Sequence, residues 1–230
     1  VRFHIAVDDG GEFLAVGGAS LTLGHLRSSA SLPFLADVER EHVRFTCNES
    51  FHSGVEWKIE RLAARDARIN GAPLGGEPHL LSDGDELALA PNLSLRFRQP
   101  DAASGSALLD LFAGAECQGA RRVLLFARGS SGRVRIGSKS NRHVSVPDLA
   151  HEVEIEWLRG ELRLSCAGGI RLAGAPLVAG DAQPMTSISI ACPLQVACSV
   201  VMGARDRARP PFGIHLRPAE APPASGAPRT

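Results

Sequence analysis

The 230-residue sequence predicts an all-β chain: two β-sandwich domains in tandem and a disordered C-terminal tail. Three observations carry this expectation. Short runs alternate apolar and polar residues at period 2, with turn residues returning about every eight to twelve positions. No helical period of useful length appears in the first hundred residues. The order of strand patterns found there returns in the second hundred, as in a duplicated unit.

Phe3 to Val7 alternates, Asp8-Asp9-Gly10-Gly11 turns, and Glu12 to Val16 alternates again, which reads as a hairpin with a Gly-rich loop. Leu21-Thr22-Leu23 is a strand that Gly24 ends. A polar loop, a short apolar strand, the charged loop Asp37 to Glu41 and the strand His42 to Phe45 follow. This alternation of loop and strand places two polar loops at one end of a sheet, where scaffolds carry binding residues. Val55 to Ile59 puts Val55, Trp57 and Ile59 on one face. Arg68 to Leu74 contains Asn70-Gly71, the strongest short hairpin signal. Leu80-Leu81, the turn Ser82 to Asp85, and the strands Glu86 to Ala90 and Leu93 to Arg98 complete a first domain over residues 1–100.

Gln99 to Gly105 reads as a linker. Leu108 to Phe112 and Arg122 to Phe126 are then strands of a second domain, residues 106–202. Arg133 to Gly137 parallels Ser20 to Gly24, and His143 to Ala150 parallels Ser31 to Asp37. His151 to Trp157 parallels the strand that starts at His42. Ile170 to Leu177 shares Gly-Ala-Pro-Leu with Arg68 to Leu74. Trp57 and Trp157 occupy corresponding strands and read as core aromatics. Cys192 and Cys198 fall in an alternating pair, Ile188 to Cys192 and Leu194 to Val200, as core thiols. The tail, residues 203–230, holds six prolines with Arg205, Arg207 and Arg209. It reads as disordered apart from Phe212 to Leu216, a short strand docking back.

Net charge is zero. The first hundred residues carry 10 Arg and Lys against 14 Asp and Glu, and the remainder 15 against 11. Neither part has the basic stripe of a nucleic-acid binder. No apolar run approaches a membrane span, and no apolar leader core opens the sequence, so the expectation is a cytoplasmic chain without a membrane partner. Five scattered cysteines favour reduced thiols over a disulfide framework.

No nucleophile with an activating partner is legible, no phosphate-cradling glycine loop enters a helix, and no carboxylates pair, so an enzyme is not expected and no cofactor is implied. His42, Cys47 and His52 are the one metal-like set. A strand would put residues 42 and 47 on opposite faces, so no metal site is read.

Leu23-Gly24, Val38-Glu39-Arg40-Glu41-His42, Ile69-Asn70-Gly71 and Leu81-Ser82-Asp83-Gly84-Asp85 together resemble the forkhead-associated (FHA) family. Its pattern runs Ile-Gly-Arg, Val-Ser-Arg-x-His, Asn-Gly-Thr-x-Val-Asn-Gly and Leu-x-x-Gly-Asp. The run Leu32 to Val38 is similar to FHA proteins of planctomycete-type bacteria, in which a second, weaker FHA-like half follows. The resemblance implies a two-sheet sandwich that binds phosphothreonine peptides through the loops at one end. Such a ligand brings about −1.5 to −2 charges and three acceptor oxygens, which a guanidinium, a hydroxyl and backbone donors satisfy.

Residue by residue, the resemblance implies a degenerate site. The family's phosphate-binding arginine is His25 here, mostly neutral at pH 7. Its serine is Glu39, and two unit charges 4 Å apart at a surface-like dielectric interact by roughly 4 kcal/mol, enough to offset most of a phosphate contact. Ala64 to Arg68 stand where Asn-Gly-Thr is lost. Gly24, His42, Asn70 and Gly71 keep the framework. Arg27, Ser28, Ser29, Arg40, Arg65 and Arg68 are the remaining candidates for contacting a protein or phosphopeptide partner. In the second copy Gly137 is kept, Ser138 replaces the arginine, His151 corresponds to His42, and Ala173-Gly174 replaces Asn-Gly. The expected role is an FHA-type interaction module with weakened or lost phosphothreonine dependence; the alternative is a genuine phosphothreonine reader.

Overall fold

The computed structural model describes residues 1–50, 54–112, 114–127, 132–158, 161–173, 185–191, 198–202 and 212–219. Every regular element among them is a strand, as the period-2 patterning requires. Residues 174–177, Cys192, residues 194–197, and residues 203–211 and 220–230 of the tail, which entered the expectations above, lie outside the described residues.

The smaller sheet contains β3 (Ser20–His25), β4 (Leu32–Phe34), β5 (Val43–Ser50), β6 (Gly54–Arg61) and β9 (His79–Leu80), in the order β4-β3-β5-β6-β9. β3 and β4 run parallel and β3 pairs antiparallel with β5. Its inner face, with Leu21, Leu23, Phe45, Trp57 and Ile59 all buried, packs on the larger sheet to form the first core. Trp57 is fully buried there, as its place on the Val55 and Ile59 face predicts.

The larger sheet begins at β7 (Arg68–Ile69) and β8 (Ala72–Pro73), continues through β10 (Glu86–Ala90) and β11 (Leu93–Arg98), and then crosses the expected linker into β12 (Ser106–Leu111) and β13 (Arg122–Phe126). β11 pairs with β12 from Leu95↔Leu111 to Arg98↔Leu108. β13 runs parallel to β2 (Gly11–Gly17), which forms the predicted hairpin with β1 (Arg2–Val7). Asp9 and Gly11 supply positive φ in that turn, 55° and 90°.

Gln99–Gly105 therefore joins two strands that pair with each other, β11 and β12. Leu14, Val16, Ala107, Leu109, Val123 and Leu125 face the first core. Phe13, Ala15, Leu108, Leu124 and Phe126, their neighbours on the same strands, face a second one. Strands β2, β12 and β13 are therefore a shared middle layer, buried on both faces. Burial on both sides explains why Phe13-Leu14-Ala15-Val16, read above as alternating, and Val123-Leu124-Leu125-Phe126 are continuous apolar runs. The connection is also pinned by side chains: Gln99 Nε2 donates to Val55 O at 3.2 Å, and Asp101 pairs with Arg135 at 2.8 Å.

The second core is enclosed by the same sheet turned back on itself. β14 (Arg133–Gly137), β15 (Val144–Ser145), β16 (Val153–Leu158), β17 (Glu161–Ala173), β18 (Met185–Ala191), β19 (Cys198–Met202) and β20 (Phe212–Pro218) lie beyond β1. Val134, Ile136, Ile155, Leu164 and Ile214 from this group cluster with Phe3, Ile5 and Phe126. The second core is thus closed within one sheet and not between two. Trp157 is partly buried against it, with its ring over Gly17. The strand expected within the tail is present and longer than predicted: β20 sits between β19 and β1.

A testable consequence follows from the shared layer. A fragment comprising residues 1–100 is expected to stay unfolded, because β11 would lose β12, and Leu14 and Val16 would lose β13. The full chain should give a dispersed amide spectrum and the fragment a collapsed one. A fragment with native Trp57 emission would overturn the shared-layer account.

Candidate functional site

Three loops meet at one end of the first core: residues 26–31 after β3, 35–42 after β4 and 62–67 after β6. Buried His42 locks them to the sheets. Its N–H donates to Leu23 O at 2.8 Å and its carbonyl accepts from Leu62 N at 3.0 Å. Its Nε2 donates to Leu89 O, on the opposite sheet, at 2.8 Å. Burial holds the imidazole pKa below its usual value, with the Leu89 bond and Glu39 acting the other way. The neutral ring thus works as a crosslink between the two sheets, not as an exposed base.

Gly24 sits opposite, buried in β3 and pressed against the loop. A Cβ added there would overlap the Arg40 carbonyl oxygen and approach Ala30 Cβ to 3.3 Å. The absence of a side chain lets the 35–42 loop lie on β3, and His25 N–H donates to Glu39 O at 2.9 Å across that contact.

His25 itself faces into the loop. Its Nδ1 accepts from Arg27 N–H at 3.1 Å, and its carbonyl accepts the Ser28 hydroxyl at 2.7 Å. Ser28 Oγ in turn accepts from Ala30 N–H at 3.3 Å. His25 and Ser28 therefore build the turn. Arg27, Ser29 and Arg40 are exposed around it.

Arg65 bridges the other two loops. Its Nε lies 3.1 Å from Glu39 Oε1, its Nη1 ion-pairs with Asp37 Oδ1, and it donates to Asp37 O at 3.2 Å. The Asp37 bond and charge, followed by Glu39, raise the Arg65 pKa above its ordinary value. The guanidinium already meets two carboxylates from its own chain. Glu39, which the family resemblance marks as a lost phosphate contact, is one of them.

Arg68 is not brought to this end; its Nη1 reaches Gly71 O at 3.4 Å. Asn70 and Gly71 take positive φ, 52° and 82°, as the turn of the β7–β8 hairpin. Asn70 Nδ2 donates to Asp85 at 2.8 Å and its Oδ1 accepts from Glu86 N at 2.9 Å, so the hairpin is tied to the Ser82–Asp85 turn.

Sequence reasoning passed over several residues at this end. Asn92 Oδ1 accepts from Asp37 N–H at 3.2 Å, which ties the 35–42 loop to the β10–β11 turn. Leu35 projects outward at 79 % exposure between backbone bonds at Phe34 and Asp37. Nothing in the period-2 pattern marks either residue.

The second half repeats the strand pairing of this end but not its chemistry. Ile136↔Val153 and the parallel pair Ile136↔Val144 match Leu23↔Val43 and Leu23↔Leu32. The register places Glu152, not His151, at the position of His42, and His151 is exposed. Glu152 accepts from nearly buried Arg142 at 2.5 Å. Ser138 is exposed beside Gly137. The buried histidine here is His143: Nδ1 accepts from Arg135 N–H at 3.1 Å, and Nε2 faces Ser106 O at 3.3 Å.

Of the metal-like set, His52 lies outside the described residues and His42 is committed to Leu89. Among the described residues, Cys117 and Cys166 are free thiols. Burial raises the Cys117 pKa to about 12, so this thiol stays protonated.

No family model matches the chain. No curated protein matches it by sequence either. Similar solved structures include the Slr1951 protein from Synechocystis sp., at 22% identity over 43% of this chain and 97% of that one, with a TM-score of 0.32. The MEK1 FHA domain in complex with a HOP1 phosphothreonine peptide is 18% identical, covering 38% of this chain and 87% of that one, with a TM-score of 0.29. The MEK1 FHA domain by itself gives 18% identity, 38% and 79% coverage, and a TM-score of 0.29.

Proposed function

We propose that the chain is a non-enzymatic, FHA-type protein interaction module that binds its partner without needing a phosphothreonine. The observation that carries this reading is the state of Arg65, whose guanidinium is occupied by Asp37 and Glu39. A phosphate would have to displace two carboxylates and then sit beside them, and like charges at such range are repulsive. His25, which stands where the resemblance expects an arginine, is spent on closing its own turn. What remains is a set of loops fixed to both sheets, with Arg27, Ser29, Leu35 and Arg40 outward, a surface suited to a protein partner. On this reading the second half repeats the frame as a degenerate copy, and the protein works in the cytoplasm.

The test uses one degenerate peptide pool displayed in phosphothreonine and unmodified forms. The native chain is expected to retain the two equally. His25→Arg with Glu39→Ser adds a cation and a hydroxyl and removes one carboxylate from Arg65, so it should favour the phosphorylated form by about tenfold, some 1.4 kcal/mol. A native preference for phosphothreonine that vanishes in Arg27→Ala would replace this reading with that of a genuine phosphothreonine reader.

A further inference from the structure

The loop 26–31 is held from beneath by a residue that the patterning does not mark. Arg2 stands at the start of β1, and its Nη2 donates to Ala30 O at 3.2 Å and to Ser31 O at 2.7 Å. Burial lowers the Arg2 pKa from its ordinary value. The charge is partly drawn out of water and set against two backbone carbonyls, a costly placement that holds only while β1 is fixed.

β1 is fixed from both edges. On one side it pairs with β2, and on the other with β20, from Phe3↔Pro218 to Val7↔Ile214. Asp8 fastens the far end: its Oδ2 accepts from Gly213 N–H at 2.9 Å and its N–H donates to Gly213 O at 3.1 Å. Just beyond β20, Ala219 packs against the first core. The last described strand thus lies beside the residue that props the loop, although the two are some two hundred positions apart in sequence.

We propose that β20 and β1 form a clasp on the loop 26–31: seating residues 212–218 against β1 positions Arg2, and Arg2 positions the loop. A change that loosens β20 then reshapes the proposed interaction end without touching it. The coupling is read without any ligand, so it stands or falls separately from the interaction reading above.

Amide hydrogen exchange on the full chain tests it. The N–H groups of Leu26, Arg27, Ser28 and Ala30 are all bonded, Arg27 and Ser28 to His25 at the end of β3, Leu26 to Phe34 in β4 and Ala30 to Ser28 within the loop. In Arg2→Ala these four are expected to exchange at least about tenfold faster, while those of Val43 to Thr46 in β5 keep native rates. Arg2→Lys should restore most of the protection, since an ammonium can reach the same carbonyls. Ile214→Ala, a fully buried position in β20, should speed exchange in β20 and in the loop together. Adding it to Arg2→Ala should leave the loop no faster than Arg2→Ala alone. Gly213→Ala, whose methyl would press on Asp8 Oδ2 at 3.1 Å, is the milder variant if Ile214→Ala does not fold. Native loop rates in Arg2→Ala, or a loosened β20 above an unchanged loop, would overturn the clasp.

Discussion

Gly24→Ala is expected to destabilise the protein by about 2–4 kcal/mol, while the corresponding change Gly137→Ala should cost under about 1 kcal/mol. Gly24 is the last residue but one of β3 and Gly137 the last of β14, and each pairs with a parallel neighbour, Gly24↔Pro33 and Gly137↔Ser145. They differ in the space around them. A Cβ on Gly24 would overlap the Arg40 carbonyl, a backbone atom held by the same loop that His25 and Glu39 bond across. A Cβ on Gly137 would meet Arg142 Cγ at 3.5 Å and Glu152 Cγ at 3.7 Å, ordinary contacts with side chains that can shift. Neither glycine is among the residues with positive φ, so the difference is one of packing, not of backbone conformation. Urea denaturation followed by the emission of Trp57 and Trp157 measures both. Equal midpoints for the two variants would mean that the 35–42 loop does not rest on Gly24.

Acidification should remove on the order of 3 kcal/mol through His143 alone. Burial pushes its pKa down to about 4 from the ordinary 6.5, with Ser106 and Asp101 opposing and Arg135 and Arg142 assisting. The geometry gives the same sign. Nδ1 is an acceptor for Arg135 N–H, so a proton placed there would set two donors against each other. Because the folded pKa lies below the unfolded one, the unfolded chain binds the extra proton first as pH falls. Stability is intact above about pH 6.5, declines between about 6.5 and about 4, and levels off below. His42, also lowered by burial, adds a loss of the same sign. His143→Gln keeps an uncharged side chain that can bond Arg135 or Ser106, and it should flatten most of this slope. The check is the unfolding free energy of native and variant chains at a series of pH values. Identical slopes would show that His143 does not carry the acid sensitivity.

Much of the first half was legible because its strands are buried on one face only. Alternation in Leu21–Leu23, Val55–Ile59 and Leu93–Arg98 reports one wet and one dry face. Asn70-Gly71 can supply two positive φ angles, so it marks a turn wherever it falls between strands. The strands of the middle layer were found, but their role was not. A continuous apolar run such as Val123 to Phe126 says that both faces are dry and leaves open what dries them. Composition marks Gln99–Gly105 as a linker but not its long-range partner: Asp101 lies against Arg135.

The candidate site divides in the same way. Its loops could be named from residue types and spacing, because strand ends and turns are local, while the framework role of Gly24, His42, Asn70 and Gly71 came from the family resemblance. The partners of those residues could not. Arg65 meets Asp37 and Glu39 across more than twenty positions of chain, and His42 meets Leu89 across 47. The place of Glu152, one residue from the expected His151, depends on strand register, which a shift of one position inverts. By itself, then, the sequence determined an all-β chain and the end of it that carries the polar loops. Only the tertiary structure decided that the two halves share a layer, that Arg65 is already neutralised, and that Arg2 props the loop. Each of those rests on long-range pairing, which period and composition do not encode.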